Sequence, residues 1–501
     1  MPIRRPTRGE LHELADELYL TLTDEEIAFV REMASDRIES YKTIRSHSPE
    51  PRVGSPALRE RSGGTRLSTD ENPHNAWTAR CEIRGDGGGS LDGLTVAVKD
   101  NISVAGVEMT CGSHVVEGYV PNVDATLVTR LLESGADIVG KTNMDDMGMG
   151  TTGHSAFGPI TNPRNGDFLA GGSSGGSAVV VANGEVDVAI GTDQGGSVRI
   201  PAAFCGVVGH KPTYDLVPYT GCVGLEHLID HPGPMARDVE TVARSLTTIA
   251  GSDRKDVRRP ADVPVDEYQK ALDGDVSGWA IALIEEGFDR SDADARVTER
   301  VREAIDLLEA RGATIEEVSV PLHADAGAIH SICQSEAIAA AMGSEGVGRG
   351  WQGWYNTSWI ESFGKFRRAQ SDDFSIAIKL SLLMGRYAGR KYHSRYYASG
   401  MNTYLELIEI YDELLSEYDL LAMPTVVETA PKHDPNRTEF DRVRELDVPD
   451  NAAPFNRTGH PATSVPAGEV DGLPVGLQLV GPRFEDSIPL NAAYALEQAR
   501  N

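Results

Sequence analysis

Residues 170–209 carry two serines set in glycine, Ser173 within Gly171-Gly172-Ser173-Ser174-Gly175 and Ser197 within Gln194-Gly195-Gly196-Ser197. A serine hydroxyl is a weak nucleophile until a neighbouring base takes its proton. Glycine lets successive backbone N–H groups curl towards one point, where they can hold an oxyanion. Both loops run into helix-like stretches, 178–182 and 198–204, and free N–H groups at such junctions favour negative charge. Upstream, residues 94–98 read as a short buried strand that delivers Lys99 at its end. A lysine leaving an apolar strand is desolvated, which lowers its pKa and suits it to act as a neutral base. Asp193 and Arg199 flank Ser197 and read as a pair that fixes the loop.

Lys99, Ser173 and Ser197 match the Ser-cisSer-Lys triad of the amidase signature family. The resemblance continues through Gly209-His210-Lys211-Pro212-Thr213, the stretch from Pro454 to Pro461 and the stretch from Gly472 to Gly481, so it spans roughly residues 76–495. The resemblance implies a three-layer α/β/α fold around a central mixed β-sheet. It assigns Ser197 as nucleophile, Ser173 as a proton relay on a cis peptide, and Lys99 as base. It places the oxyanion hole at the N–H groups of Gln194, Gly195, Gly196 and Ser197. Met149, Thr151 and Thr152 would line the substrate pocket with Gln194, and neither a metal nor an organic cofactor is required.

For the reaction, residues 193–204 and 209–221 are similar to bacterial amidases of nitrile degradation, which implies hydrolysis of a small-molecule carboxamide to acid and ammonia. An alternative is carried by Lys141-Thr142-Asn143-Met144-Asp145-Asp146 and by residues 150–159. These resemble the glutaminase (A) subunit of a tRNA-dependent amidotransferase, a protein that usually lacks an N-terminal extension and has threonine at the place of Gln194. A reading of another class, a binding scaffold on the same fold, has no need for Lys99, Ser173 and Ser197 together.

Three motifs point elsewhere and fail on context. Gly148-Met149-Gly150-Thr151-Thr152-Gly153 matches a dinucleotide fingerprint but precedes no helix start. Gly171-Gly172-Ser173-Ser174-Gly175 matches a nucleophile elbow, with His460 as base, but no strand runs into the serine. His227, Asp230 and His231 have metal-ligand spacing, yet Pro232-Gly233-Pro234 breaks any helix that would align them.

These residues need a scaffold, and the chain has the length for one: 501 residues with 40% apolar content. From residue 91 onward strands alternate with helices, at 125–134, 137–142, 176–183 and 187–192, which argues for an α/β sheet covered on both faces. Residues 255–450 read as charged and helical, with aromatics from Trp351 to Tyr397 available to close the pocket. Short strands at 420–423, 463–466 and 475–480 are expected to complete the sheet. Residues 1–45 read as helical, with Thr23-Asp24-Glu25-Glu26 as a capping box and Ile27, Val30, Met33, Ile38 and Tyr41 on one face. Residues 46–75 read as a linker, giving an N-terminal extension (1–75) and a catalytic domain (76–501). The resemblance implies dimer contacts for such an extension, hence a homodimer.

The charge balance is 47 basic against 76 acidic residues, a net −29, and only ten of the basic residues are lysine. Such a surface repels phosphates and argues against nucleic-acid binding. It fits adaptation to high salt, where screening removes self-repulsion. Five cysteines without a C-x-x-C pair fit a reducing compartment. No apolar run approaches a membrane span, so a cytoplasmic location is expected.

Overall fold

A computed structural model of the chain describes residues 3–47, 60–256, 258, 265–346, 353–444 and 451–500. The chain divides into two compact units, Met1–Arg52 and Val53–Asn501.

The first unit holds helices α1 (Arg8–Glu17) and α2 (Asp24–His47). The capping box at the start of α2 is formed: Glu26 N–H donates to Thr23 Oγ1 at 3.2 Å and Thr23 N–H to Glu26 Oε2 at 2.7 Å. Of the expected apolar face, Ile27 is buried, whereas Val30, Met33 and Tyr41 remain exposed. The expected boundary near residue 75 differs from this division. Residues 60–75 border the main sheet instead, with Arg61 bridging Ile83 and Thr65 bridging Arg80; residues 48–59 of the expected linker lie outside the described residues.

The second unit is built on strands β1 (Trp77–Ile83), β2 (Thr95–Lys99) and β3 (Asp137–Thr142), a small hairpin of β4 (His154–Ser155) and β5 (Gly158–Pro159), then β6 (Val188–Asp193), β7 (Val208–Lys211), β8 (His231–Ala236), β9 (Ala280–Ile284), β10 (Thr314–Val318), β11 (Leu420–Pro424), β12 (Ala462–Val470) and β13 (Leu473–Val480). Eleven of them form one sheet in the order β1-β3-β2-β6-β8-β7-β12-β13-β11-β9-β10. Parallel pairs (β2 with β3 and β6, β9 with β10 and β11) sit beside antiparallel ones, so the sheet is mixed. The C-terminal strands join it as expected. Strands β9 and β10 also come from the middle stretch, which the sequence reads as helical: β10 is an exposed edge (Thr-Ile-Glu-Glu-Val) with weak apolar signal, and β9 (Ala-Ile-Ala-Leu-Ile) is a short apolar run that periodicity alone does not separate from a buried helix segment.

Side chains on successive residues of a strand point to opposite faces, and two cores follow from that alternation. Val96, Val98, Val188 and Ile190 pack in one cluster with helices α3 (Thr126–Glu133) and α6 (Val239–Ile249), numbered with α4 (Gly175–Ala182) and α5 (Arg199–Cys205) between them. Ala97 and Ala189 face the other cluster, against α4 and α5. Helices therefore cover both faces, the three-layer arrangement expected from the sequence. Strands β2 and β6 lie side by side, so Lys99 at the end of one and the Ser197 loop after the other emerge at the same sheet end.

Candidate active site

Lys99, Ser173 and Ser197 come together. Lys99 is closed to solvent, and its Nζ stands 2.7 Å from Ser173 Oγ, 3.0 Å from Thr192 Oγ1 and 3.1 Å from the Thr192 carbonyl. Burial lowers its pKa to about 7, and the carboxylates of Asp145 and Asp193 oppose that fall. It does not pair with the adjacent Asp100, whose Oδ1 instead accepts from Lys141 Nζ at 3.0 Å.

Ser173 is fully buried, and the Gly172–Ser173 peptide is cis. The two serine loops are tied by their backbones, Ser174 N–H donating to the Ser197 carbonyl at 3.1 Å. Among the described residues no hydrogen bond joins the two serine hydroxyls. Gly172 is pressed against the carboxylate of Asp145, where a Cβ would come within 2.5 Å of Oδ1. Asp145 also accepts from Gly153 N–H at 3.2 Å, and burial pushes its carboxyl up to about 6.

The loop before α5 is held by a buried ion pair. Arg199 donates to Asp193 through Nε at 3.0 Å and Nη2 at 2.9 Å, and its other bonds reach Ala452 O, Gln478 Oε1 and Asn456 Oδ1 at 2.7–2.8 Å. The guanidinium holds the Asp193 carboxyl far below the usual carboxylate range despite burial. Asp193 also accepts from Gly196 N–H at 2.7 Å and Val198 N–H at 3.0 Å. This corrects the expected donor set, because the Gly196 N–H is taken up by the carboxylate that shapes the turn. The N–H groups of Gln194, Gly195 and Ser197 have no such bond to that carboxylate. Gly196 itself sits at φ +117°, and a Cβ there would meet Ala452 and Ile200 at 2.7 Å.

Ser197 opens on a cavity of about 230 Å³ with Met149, Thr151, Gln194 and Gly195. Thr152 does not line it. It turns into a neighbouring cavity of about 150 Å³, where its Oγ1 lies 2.9 Å from His154 Nδ1. The far wall comes from the helix Pro321–Gly343 and from Leu380 and Ser381, none of them singled out by the sequence. Nor do the expected aromatics close this cavity. Trp354, Trp359 and Tyr397 border a larger one, and Trp351 lies outside the described residues. His460, the base of the rejected nucleophile-elbow reading, bonds Asp412 and Thr458 instead. Among the described residues, no group of three or more His, Cys, Asp or Glu is placed to hold a metal ion.

Comparison with known proteins decides the family. A protein-family model described as Amidase matches residues 66–489. This chain belongs to the amidase signature family. Within that family it is 44% identical over 428 residues to the glutamyl-tRNA(Gln) amidotransferase A subunit of Halobacterium salinarum, covering 85% of this chain and 99% of that protein. It is 40% identical over 442 residues to an enantioselective amidase of Rhodococcus rhodochrous, covering 86% and 84%. The solved structure of the Thermotoga maritima glutamyl-tRNA(Gln) amidotransferase A subunit superposes with a TM-score of 0.70 at 33% identity, covering 85% of this chain and 88% of that one. The amidotransferase A subunits, at 44% identity against 40% for the amidase, favour the amidotransferase alternative over the free-standing amidase expected from the sequence.

Proposed function

We propose that the chain hydrolyses a primary carboxamide to a carboxylate and ammonia through an acyl-enzyme on Ser197. The observation that carries this reading is the buried Lys99, with Nζ 2.7 Å from Ser173 Oγ and its pKa lowered to about 7. A neutral amine has two N–H bonds to give, and Thr192 offers two acceptors, its carbonyl and its hydroxyl. The lone pair is then free to accept the Ser173 hydroxyl proton. In this reading Ser197 Oγ attacks the amide carbon while its proton passes to Ser173 and the Ser173 proton to Lys99. The same route returns a proton to the departing nitrogen, which leaves as ammonia. Water then attacks the ester and releases the acid. The N–H groups of Gln194, Gly195 and Ser197 would hold the oxyanion, and losing one such donor costs about 2.7–4 kcal/mol of transition-state stabilisation.

Two substrates have support. Glutamine is supported by the 44% identity to an amidotransferase of that kind, and that reading brings partner chains with it. An uncharged amide, acted on by a free-standing enzyme or homodimer, is supported by the cavity wall. Among the described residues lining it none is Asp, Glu, Lys or Arg, and His330 is kept neutral by burial. The ammonium and carboxylate of glutamine would find no ionic partner on that wall, and burying unpaired charge is costly. Ammonia release from phenylacetamide, propionamide and glutamine in molar KCl separates the two. Turnover of the simple amides supports the free-standing enzyme, and turnover of glutamine alone supports the amidotransferase reading. Release that persists in Ser197→Ala contradicts the acyl-enzyme.

A further inference from the structure

Next to the Ser197 cavity lies a larger one of about 590 Å³. The boundary between them includes a hydrogen bond, Gln194 Nε2 donating to Tyr219 Oη at 3.1 Å, with Gln194 on the first wall and Tyr219 on the second. The helix Pro321–Gly343 serves both: His330 and Gln334 border the first cavity, Ala337 and Ala341 the second. Steps of four, three and four residues keep these positions on one helical face.

The larger cavity has an uncommon wall. Trp354, Trp359 and Tyr397 supply aromatic surface. Among the described residues, neither carboxylate oxygen of Glu336, only 8% exposed, has a hydrogen-bond partner. Asp230, 2% exposed, accepts from Leu225 N–H at 3.1 Å through Oδ1, while among the described residues its Oδ2 has no hydrogen bond, with the Gln194 amide close by. The other charges on the wall have partners. Arg258 is paired with Asp256 at 2.8 Å and Asp215 at 3.2 Å, and Glu226 with Arg457 at 2.8 Å. Burial pushes the Asp230 carboxyl up to about 7, although the Arg258 guanidinium, which donates to the Asp230 carbonyl at 3.2 Å, pulls the other way. Buried carboxylate oxygens left without donors are expensive, so a wall of this kind is complete only when something donates to it.

We propose that this cavity binds an organic ammonium ion, its charge received by Glu336 and Asp230 and its apolar body lying against Trp354 and Trp359. Aromatic faces attract cations as well as apolar groups, and the unpartnered acceptors disfavour an anion. The volume far exceeds that of a bare ion, so the ligand has a carbon body. Trp359 Nε1, also buried and without an acceptor among the described residues, gives that body one donor to meet. The site stands apart from the acyl-enzyme reading, since no group of the Lys99–Ser173–Ser197 cluster lines it.

Phenethylammonium, 2-phenylethanol and 3-phenylpropionate share a body and differ in charge, which makes them suitable probes. Calorimetric titration of the full chain in molar KCl should give phenethylammonium an affinity about tenfold or more above that of 2-phenylethanol, with 3-phenylpropionate weakest. Glu336→Gln should remove the preference for the amine while leaving the affinity for the alcohol, which also reports that the variant is folded. Ser197→Ala should move none of these affinities, whether or not it abolishes amide turnover. Equal affinity for the three probes on the wild-type chain overturns the proposal without recourse to any variant. So does an amine preference that survives Glu336→Gln. Displacement of phenethylammonium by an equal concentration of ammonium chloride overturns the requirement for an organic body.

Discussion

Lys99 Nζ and Ser173 Oγ are 2.7 Å apart with both side chains closed to solvent. A charged ammonium at that place would be short of counter-charge, and burial brings its pKa down to about 7. If Lys99 is the base it works deprotonated. Activity should therefore climb with pH through about 7 and level off above it, read as a single ascending limb in kcat/KM. A profile flat from pH 5 to pH 9 would exclude Lys99 as the group that titrates.

The same depressed pKa has a consequence for stability. Between about 7 and the ordinary lysine value the unfolded chain holds a proton that the folded chain does not, so stability from this group rises with pH across that window. Below about 7 both states are protonated and the whole cost of the buried charge is present. Lys99→Met should consequently melt at or above the wild-type temperature near neutral pH while losing about 10³-fold or more in turnover. A variant that melts well below wild type would show that Lys99 holds the fold instead of burdening it.

Asp193 lies on the opposite side of this balance. The Arg199 guanidinium depresses its carboxyl, so its contribution is present above the unfolded carboxylate range and is lost as pH falls below about 4. Asp193→Ala leaves a buried guanidinium without its anion and should cost about 3–5 kcal/mol at neutral pH. Denaturant unfolding checks this, with a loss under about 1 kcal/mol as the contrary result. Gly196→Ala should also fail, because its Cβ would collide with Ala452 and Ile200 at a positive φ.

The net charge of −29 repels itself unless it is screened. We expect the melting temperature to rise from low salt to molar KCl, in keeping with similarity to proteins of Halobacterium salinarum and Haloarcula marismortui. A melting curve indifferent to salt would remove the case for adaptation.

Much of the site was legible because its signals are local. A lysine closing an apolar strand and serines flanked by glycine each declare their chemistry within a short stretch of chain, and α4 and α5 start close to where those loops end. What escaped reading depends on the third dimension. Thr192 and Asp145 meet Lys99 and Ser173 only through the parallel packing of β2 with β3 and β6. Asp193 reaches back to the Gly196 N–H, a bond that removes one expected oxyanion donor and that residue types alone do not disclose. Thr151 and Thr152 are adjacent in sequence yet border different cavities, in a segment bounded by the positive-φ Gly150 and Gly153. The helix that walls both cavities, Pro321–Gly343, has apolar and polar residues spread around its circumference, so its sequence marks no single buried face.

The measurement that bears most directly on the central claim is peptide mapping by mass spectrometry of enzyme quenched in acid during turnover of a carboxamide. An acyl group on the peptide that carries Ser197, absent from Ser197→Ala, is the result the account predicts. An acyl group on Ser173, or turnover that continues after Ser197→Ala, would contradict it.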